Sequence, residues 1–175
     1  MVWFWTIPIV IVIFFGFVVF RGAPYIPSQK KYIKLAFHEL YKLSKNDVLV
    51  DIGSGDGVIL REASRIGACA VGFEINPILV GFSRLLSRSD KRVSVRFADF
   101  WLAHLPDNTT VVYIFSVGRD MKKMHKWLQS ETNRLGRSIS LISFGFGFKN
   151  IKADKIVQPY YLYVFHPLHQ VKPQV

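Results

Sequence analysis

The sequence has few of the residues that build disulfides and metal sites. It holds a single cysteine, Cys69, in 175 residues, so no disulfide can form within the chain, which fits a reducing compartment. Histidine is sparse as well. The closest pair, His166 and His169, lies in a Pro-containing tail without an acid or cysteine cluster beside it. We therefore predict no metal site.

Acidic residues are also in short supply. Twelve Asp and Glu against 23 Lys and Arg give a formal net charge of +11. This surplus suits an anionic neighbour, and lipid headgroups, nucleic acid and an acidic protein patch all qualify. Internal repeats and low-complexity segments are absent from the sequence. The chain beyond its first twenty residues is long enough for one domain with a hydrophobic core.

The first twenty residues carry no Asp, Glu, Lys or Arg. Residues 2–20 would rise about 28 Å as a helix, close to the hydrocarbon thickness of a bilayer, so they are predicted to be a transmembrane anchor. A signal peptide and a buried core helix are the alternatives, but no basic residue precedes the run. The basic flank then predicts a single-pass membrane protein with residues 21–175 on the cytoplasmic side, or the matrix side if mitochondrial. That flank consists of Arg21, Lys30, Lys31, Lys34, Lys42 and Lys45.

Strand and helix patterns alternate along the rest of the chain. Such alternation predicts an α/β fold with a doubly wound parallel sheet, in which ligands bind at the carboxyl ends of the strands. An antiparallel edge strand is expected late in the chain. The predicted strands are 48–52, 70–73, 93–97, 110–115, 138–144 and 160–165, and the predicted helices are 28–43, 58–66, 77–87 and 120–134. The domains are then 1–20 (anchor), 21–28 (linker and motif), 29–165 (catalytic domain) and 166–175 (tail).

The stretch DIGSGDG follows the first predicted strand and contains Gly53, Gly55 and Gly57. Glycines there let the chain turn sharply and let backbone N–H groups approach a ligand. The third glycine of a dinucleotide fingerprint would fall at Val58, and the Lys and Ser/Thr of a phosphate-binding loop are missing. A polyphosphate ligand is therefore not favoured.

Acids end three successive predicted strands: Asp51, Glu74 and Asp99. Carboxylates at neighbouring strand ends face one crevice, and an acid at the second position can accept hydrogen bonds from both ribose hydroxyls. This arrangement suits a ligand with a ribose, an amino donor and a positive centre. S-adenosylmethionine has all three.

The motifs DIGSGDG, VGFEINP and FADF, in this order, resemble those of the seven-strand, Rossmann-like S-adenosylmethionine-dependent methyltransferases. The resemblance implies that Asp51 and the glycine turn hold the methionine part, that Glu74 binds the ribose, and that Asp99 binds the adenine amino group. The implied cofactor residues in these motifs are Asp51, Gly53, Ser54, Gly55, Asp56, Gly57, Glu74, Ile75, Asn76, Asp99 and Phe100.

The order APYIPS, DIGSGDG and EINP is similar to that of a small group of protein-lysine methyltransferases. This group includes enzymes acting on the ATP synthase c-subunit and the adenine nucleotide translocator, with archaeal relatives. The resemblance implies that Pro24, Tyr25, Ile26, Pro27 and Ser28 line the pocket for cofactor and target lysine, with Tyr25 as the catalytic residue. The implied partner is a protein with an accessible lysine at or in the membrane, reached through the N-terminal helix.

Three alternatives remain open at the level of sequence. The basic charge permits an RNA methyltransferase, although IFSVG stands where adenine and cytosine amino methylases carry an Asp/Asn-Pro-Pro-aromatic motif. A small-molecule or lipid methyltransferase is the second alternative, and a catalytically silent binding module is the third. Nucleic acid is the less favoured partner.

Overall fold

The computed structural model of the protein describes residues 5–6, 30–115 and 118–168. Strands and helices alternate through the two long segments. The strands are β1 (Val48–Ile52), β2 (Cys69–Glu74), β3 (Val93–Phe97), β4 (Val111–Phe115), β5 (Ile139–Phe144), β6 (Lys155–Val157) and β7 (Tyr160–Phe165). The helices are α1 (Lys30–Lys34), which continues as a π-helix (Leu35–Leu40), α2 (Val58–Ile66), α3 (Pro77–Leu86) and α4 (Met121–Leu135).

These strands form one seven-stranded sheet in the order β3-β2-β1-β4-β5-β7-β6. Strands β1 to β5 pair in parallel, whereas β7 is antiparallel to both of its neighbours, β5 and β6. The direction in which strands are added reverses between β1 and β4. The carboxyl ends of those two strands are where a doubly wound sheet opens a crevice for a ligand.

Alternate residues along each strand point to opposite faces of the sheet, and each face has its own apolar layer. On one face, Leu49 and Val111 pack with α1, α2 and Val80 of α3. On the other face, Val50 and Val112 pack with α4 and the late strands. Helices therefore cover both sides, as a buried parallel sheet requires.

Helix ends follow local sequence signals. Gly67 ends α2 in the left-handed conformation, with φ of +105°, which glycine adopts without strain. The side chain of Asn76 accepts hydrogen bonds from the backbone N–H groups of Ile78 and Leu79, and Pro77 opens α3. These predicted helix ends are confirmed.

Most predicted elements are confirmed to within two residues, and the exceptions lie at the two ends of the described chain. The predicted first helix ends at Leu40 instead of residue 43, because the backbone N–H of Tyr41 bonds back to the carbonyl of Ala36 in a widened turn. Strand β6 was not predicted, because three residues are too few to show an alternating pattern. The antiparallel edge strand expected late in the chain is present and is β6, which pairs with β7 (Tyr160–Phe165).

The predicted single-pass membrane localisation is wrong. Within residues 5–6, 30–115 and 118–168, no helix has both the length and the hydropathy needed to cross a bilayer. The longest of them, α4, has 15 residues, and such a helix rises only about 22 Å, short of the roughly 30 Å of hydrocarbon. The predicted anchor, residues 1–20, lies outside the described residues except for Trp5 and Thr6, and attachment through an N-terminal helix has no support.

Candidate active site

The glycine turn after β1 has a backbone that side chains would disrupt. Gly53, Gly55 and Gly57 have φ values of +76°, +54° and +82°, in the left-handed region that favours glycine. A Cβ atom on Gly57 would also collide with the hydroxyl of Ser83 on α3. The turn therefore depends on glycine for its conformation and for its close packing against a neighbouring helix.

Glu74, the last residue of β2, fixes the shape of this turn. One carboxylate oxygen accepts a hydrogen bond of 2.8 Å from the backbone N–H of Gly55, and the other accepts one of 2.8 Å from that of Asn76. The side chain is buried. Each carboxylate oxygen keeps a further lone pair, so Glu74 can still accept hydrogen bonds from a ligand.

Asp51 lies at the centre of the crevice, and its carboxyl group is almost fully buried. Burial raises the pKa of Asp51 well above its usual range, and the negative charges of Glu74 and Asp56 raise it further. We find no hydrogen bond to this carboxyl from the part of the chain that the structure describes. A ligand that brings positive charge would therefore find a favourable place here.

Aromatic residues on β4, β5 and β7 lie beside Asp51, and two of them, Tyr113 and Tyr160, are fully buried. Tyr113 is the pairing partner of Asp51 across β1 and β4, and its hydroxyl lies 3.3 Å from that of Tyr160. Burial raises the pKa of Tyr160 to about 12, and the charge of Asp51 acts in the same direction. Phe144 contacts Tyr160, with ring centroids 5.1 Å apart, and stacks on Phe115 at 5.2 Å.

Sequence reasoning missed this aromatic group. Tyr113 and Phe115 lie in a strand that was predicted correctly, but Tyr160 reaches the site through the pairing of β7 with β5. That pairing joins residues far apart in the chain and leaves no local pattern. The aromatic side chains at the ends of the predicted strands were the available signal.

Asp99 follows β3 at the same edge of the sheet. The backbone N–H of Ala98 bonds to the carbonyl of Glu74 at 3.0 Å, so the ends of β2 and β3 are held together. One Asp99 oxygen accepts a hydrogen bond of 3.0 Å from the N–H of Trp101 and caps a short 3₁₀ turn. Phe100 packs against Trp101, with ring centroids 4.3 Å apart, beside this half-buried carboxylate.

The structure thus brings together the predicted residues of three strand ends. Asp51, the glycine turn, Glu74 and Asp99 border one crevice, next to Ser54, Ile75, Asn76 and Phe100. The carboxylate of Asp56 is instead engaged in an ion pair with Arg61, at a distance of 3.2 Å. Pro24, Tyr25, Ile26, Pro27 and Ser28 lie outside the described residues. In the described ranges, no group of three or more metal-ligating side chains occurs.

The chemistry of the crevice can be read from these groups. The buried carboxylates suit hydroxyl donors and a cationic centre, and they oppose a polyphosphate through charge repulsion. The adjoining aromatic rings supply an apolar wall. A nucleoside that carries a positive charge fits this combination best.

Comparison with known proteins gives a family match. Residues 51–155 match a family described as the ANTKMT methyltransferase domain. The ATP synthase c-subunit lysine N-methyltransferase of Xenopus laevis is 36% identical over 136 residues, which cover 76% of this chain and 58% of that protein. The human protein of the same name is 36% identical over 120 residues, covering 67% of this chain and 50% of its own length. The chain thus aligns with only about half of these relatives.

Solved structures share the fold. An RNA methyltransferase from Salinibacter ruber, in complex with S-adenosyl-L-homocysteine, aligns over 85% of this chain and 98% of its own, with a TM-score of 0.71 and 25% identity. An S-adenosylmethionine dependent methyltransferase from Mesorhizobium loti aligns over 63% of this chain with a TM-score of 0.53 and 18% identity, a likeness of fold alone. The fold of this chain therefore has known counterparts.

Proposed function

Because the chain belongs to the ANTKMT methyltransferase family, we propose that it transfers a methyl group from S-adenosyl-L-methionine to lysine side chains of a protein. The related enzymes from Xenopus laevis and human are named as lysine N-methyltransferases of the ATP synthase c-subunit. Their names supply the substrate class, and the crevice supplies the place for the cofactor.

The observation that carries this proposal is the fixed position of Glu74. Its two bonds to backbone N–H groups, each 2.8 Å long, aim the carboxylate at the crevice and leave lone pairs for the two hydroxyls of a ribose. Asp99, held beside the end of β2, is the acceptor for the adenine amino group. Phe100 and Ile75 lie next to the adenine ring. Asp51 and the glycine turn hold the methionine part.

Charge complementarity supports the same placement. S-adenosylmethionine supplies an electrophilic methyl group on a positively charged sulfur, together with an α-amino group. The carboxyl of Asp51 is buried near Glu74 and Asp56, whose charges repel its own. A cationic ligand relieves that repulsion and stabilises the ionised form of Asp51. We propose that Pro24, Tyr25, Ile26, Pro27 and Ser28 close the pocket from the N-terminal side.

The acceptor lysine must lose its proton before it can attack. With an ordinary pKa near 10.4, about one amine in a thousand is neutral near pH 7, a cost of roughly 4 kcal/mol. Tyr32, Phe115 and Phe144 form an aromatic cluster beside the crevice, with ring centroids 5.2 to 6.1 Å apart. An apolar wall of this kind lowers the pKa of an incoming ammonium by desolvation. The chain then acts by holding amine, methyl carbon and sulfur in line.

Calorimetry with S-adenosylmethionine tests the binding step. We expect the wild-type chain to bind it, Glu74→Ala to bind far more weakly, and Glu39→Ala, which removes an exposed carboxylate on the π-helix, to bind normally. Transfer of a radiolabelled methyl group to protein, with mass spectrometry of the product, tests the lysine acceptor. A wild-type chain that does not bind the cofactor, or a labelled residue other than lysine, would contradict the proposal.

RNA methylation is a second candidate, and one observation favours it. The Salinibacter ruber neighbour, which aligns over 98% of its own length, is described as an RNA methyltransferase, and the net charge of +11 is compatible with a polyanionic substrate. Treatment of the labelled products with ribonuclease separates the two candidates. Loss of the label would assign RNA as the substrate.

A further inference from the structure

Helix α3 exposes an apolar face that nothing in the described chain covers. Ile78, Phe82, Leu85 and Leu86 are 45%, 55%, 55% and 56% exposed. Their spacing of four, seven and eight residues places them on one side of the helix. Scattered exposed leucines are ordinary, but four large side chains on one helix face form a patch that indicates a binding surface.

The edge strand β3 extends this patch. Phe97 is 61% exposed, and it points to the same side of the sheet as Val95, which packs with Val80 of α3 in the core. The guanidinium of Arg84 holds the helix against the strand through hydrogen bonds of 2.8 and 3.0 Å to the carbonyl of Val95. The apolar surface therefore spans two elements that are fixed to each other.

An open cavity of about 830 Å³ adjoins the end of this face, between α2 and the loop from α3 to β3. Leu86 belongs to both the apolar face and the cavity lining. Four cationic side chains line the cavity, and Asp90 is the one acid among its described lining residues. The cations are Arg61, Arg65, Lys91 and Arg92.

Not all of this charge is compensated. Arg61 pairs with Asp56, and Arg65 pairs with Glu62. Lys91 and Arg92 have no acid within salt-bridge distance in the chain from 30 to 115 or from 118 to 168. The pKa of Asp90 is lowered, chiefly by a side-chain hydrogen bond from Ser64 and also by the charge of Arg92, so Asp90 offsets part of the Arg92 charge, and no acid in the described chain pairs with Lys91.

Ser87 adds a polar group that lacks a partner. Its hydroxyl oxygen is buried against the cavity, and within the described residues it makes no hydrogen bond. A buried hydroxyl without a partner is costly, so a ligand oxygen that reached Ser87 would be stabilised there. Lys91, Arg92 and a hydroxyl donor together form the kind of group that binds a phosphate oxygen.

We propose that this surface docks the chain onto a bilayer that contains anionic phospholipids. A headgroup phosphate occupies the basic cavity, while Phe82, Leu85 and Leu86 enter the boundary between headgroups and acyl chains. An apolar helix face flanked by Lys and Arg is the pattern of helices that lie in this boundary. Such peripheral docking uses described surface residues and requires no spanning helix.

The basic cavity of the docking surface is separate from the candidate active site. The cavity lies where β3 begins, whereas the glycine turn follows the carboxyl end of β1, and β1, β2 and β3 run in parallel. The cavity and the glycine turn therefore lie at opposite ends of these strands, whereas Ile78 and Phe97 bring the apolar face close to Asn76 and Asp99. Substitution of Lys91 and Arg92 in the cavity can therefore remove lipid docking without removing methyl transfer.

A fluorescent label on α3 tests the proposal in the full-length chain. Gly81 lies on the apolar side of α3, and a Cβ there meets no atom within 4 Å, so Gly81→Cys adds a label without removing an apolar residue. The exposed Cys69 is replaced by serine first. The control label is Ser130→Cys on α4, which packs on the opposite face of the sheet.

Vesicles of equal parts phosphatidylcholine and phosphatidylglycerol should shift the emission of the label at position 81 to shorter wavelengths. Spin-labelled lipid should quench it, and the label at position 130 should not respond. Lys91→Gln with Arg92→Gln should lower partitioning roughly thirtyfold, since each basic residue near an anionic surface contributes roughly a factor of five. Circular dichroism checks that this double variant is folded.

Several results would overturn the proposal. One is sedimentation of the chain with vesicles while the label at position 81 stays in water, because attachment would then use another part of the chain. An equal response of both labels, or no partitioning at all, would also refute it. If inorganic phosphate or an oligonucleotide binds through Lys91 and Arg92 while vesicles leave the label unchanged, the cavity serves a free anion or a nucleic acid instead.

Discussion

Replacement of Glu74 should destabilise the chain even without cofactor. In Glu74→Ala, the buried N–H groups of Gly55 and Asn76 both lose their acceptor. Each unsatisfied group costs about 1–3 kcal/mol, so we expect a loss of about 2–6 kcal/mol in the free energy of unfolding. For a chain of this size that corresponds to a fall in melting temperature of roughly 5–20 °C.

Glu74→Gln should lie between the wild type and Glu74→Ala. Its amide oxygen can accept one of the two N–H groups, but its NH₂ group then faces the other. The matched control is Glu39→Ala, whose exposed carboxylate should change stability by less than about 0.5 kcal/mol. Urea unfolding monitored by tryptophan fluorescence measures all three variants.

Saturating cofactor separates the structural role of Glu74 from its binding role. A hundredfold excess over the dissociation constant stabilises a folded chain by about 2.7 kcal/mol. We expect this increment in wild type and Glu39→Ala, and its loss in Glu74→Ala. If Glu74→Ala unfolds like Glu39→Ala, the two backbone bonds do not stabilise the turn and the reasoning fails.

Three further predictions concern neighbouring groups. Because the pKa of Asp51 is raised, the folded chain keeps a proton that the unfolded chain releases near pH 4. The free energy of unfolding therefore falls as the pH rises from about 4 through the pKa of the folded chain. Asp51→Asn should flatten this decline in urea titrations, and parallel profiles would refute it. Gly57→Ala should cost about 1–2 kcal/mol through its left-handed backbone alone. The collision of the new Cβ with the Ser83 hydroxyl adds a further cost, so adding Ser83→Ala should restore part of the lost free energy of unfolding. If the double variant is no more stable than Gly57→Ala, this collision is not a source of the loss. Phe144→Leu opens the aromatic cluster that lowers the pKa of the acceptor lysine, so the pH–rate profile of lysine methylation should move to higher pH. An unchanged profile would exclude a desolvating role for Phe144.

Local signals made much of the fold predictable. Asn76 and Pro77 mark a helix start through a cap and a fixed φ, and Gly67 marks a helix end through its left-handed conformation. These effects act within a few residues, so the sequence displays them directly. The same holds for the acids at the strand ends, because parallel strands place their carboxyl ends along one edge.

Long-range contacts set the limit of that reasoning. The short β6 exists because β7 offers it a partner, and its own three residues show no period. The widened turn that ends at Leu40 depends on packing against β6 and β7. Tyr160 meets Tyr113 through a strand that enters the sheet out of sequence order, and its role could not be predicted from local pattern.

The two outer strands of the sheet also differ in a way that bears on solubility. Strand β6 is three residues long, and the ammonium group of its Lys155 bonds to the carbonyl of Glu39. This edge of the sheet therefore offers little backbone to which another strand could pair. Strand β3 is two residues longer, but its outer backbone groups are partly bonded, because the N–H of Val93 bonds to the carbonyl of Asp90 and the carbonyl of Val95 accepts from Arg84. The guanidinium of Arg84 thus places a charge on the backbone edge where another chain would add a strand. Arg84 therefore opposes fibril-like self-assembly, a duty unrelated to catalysis.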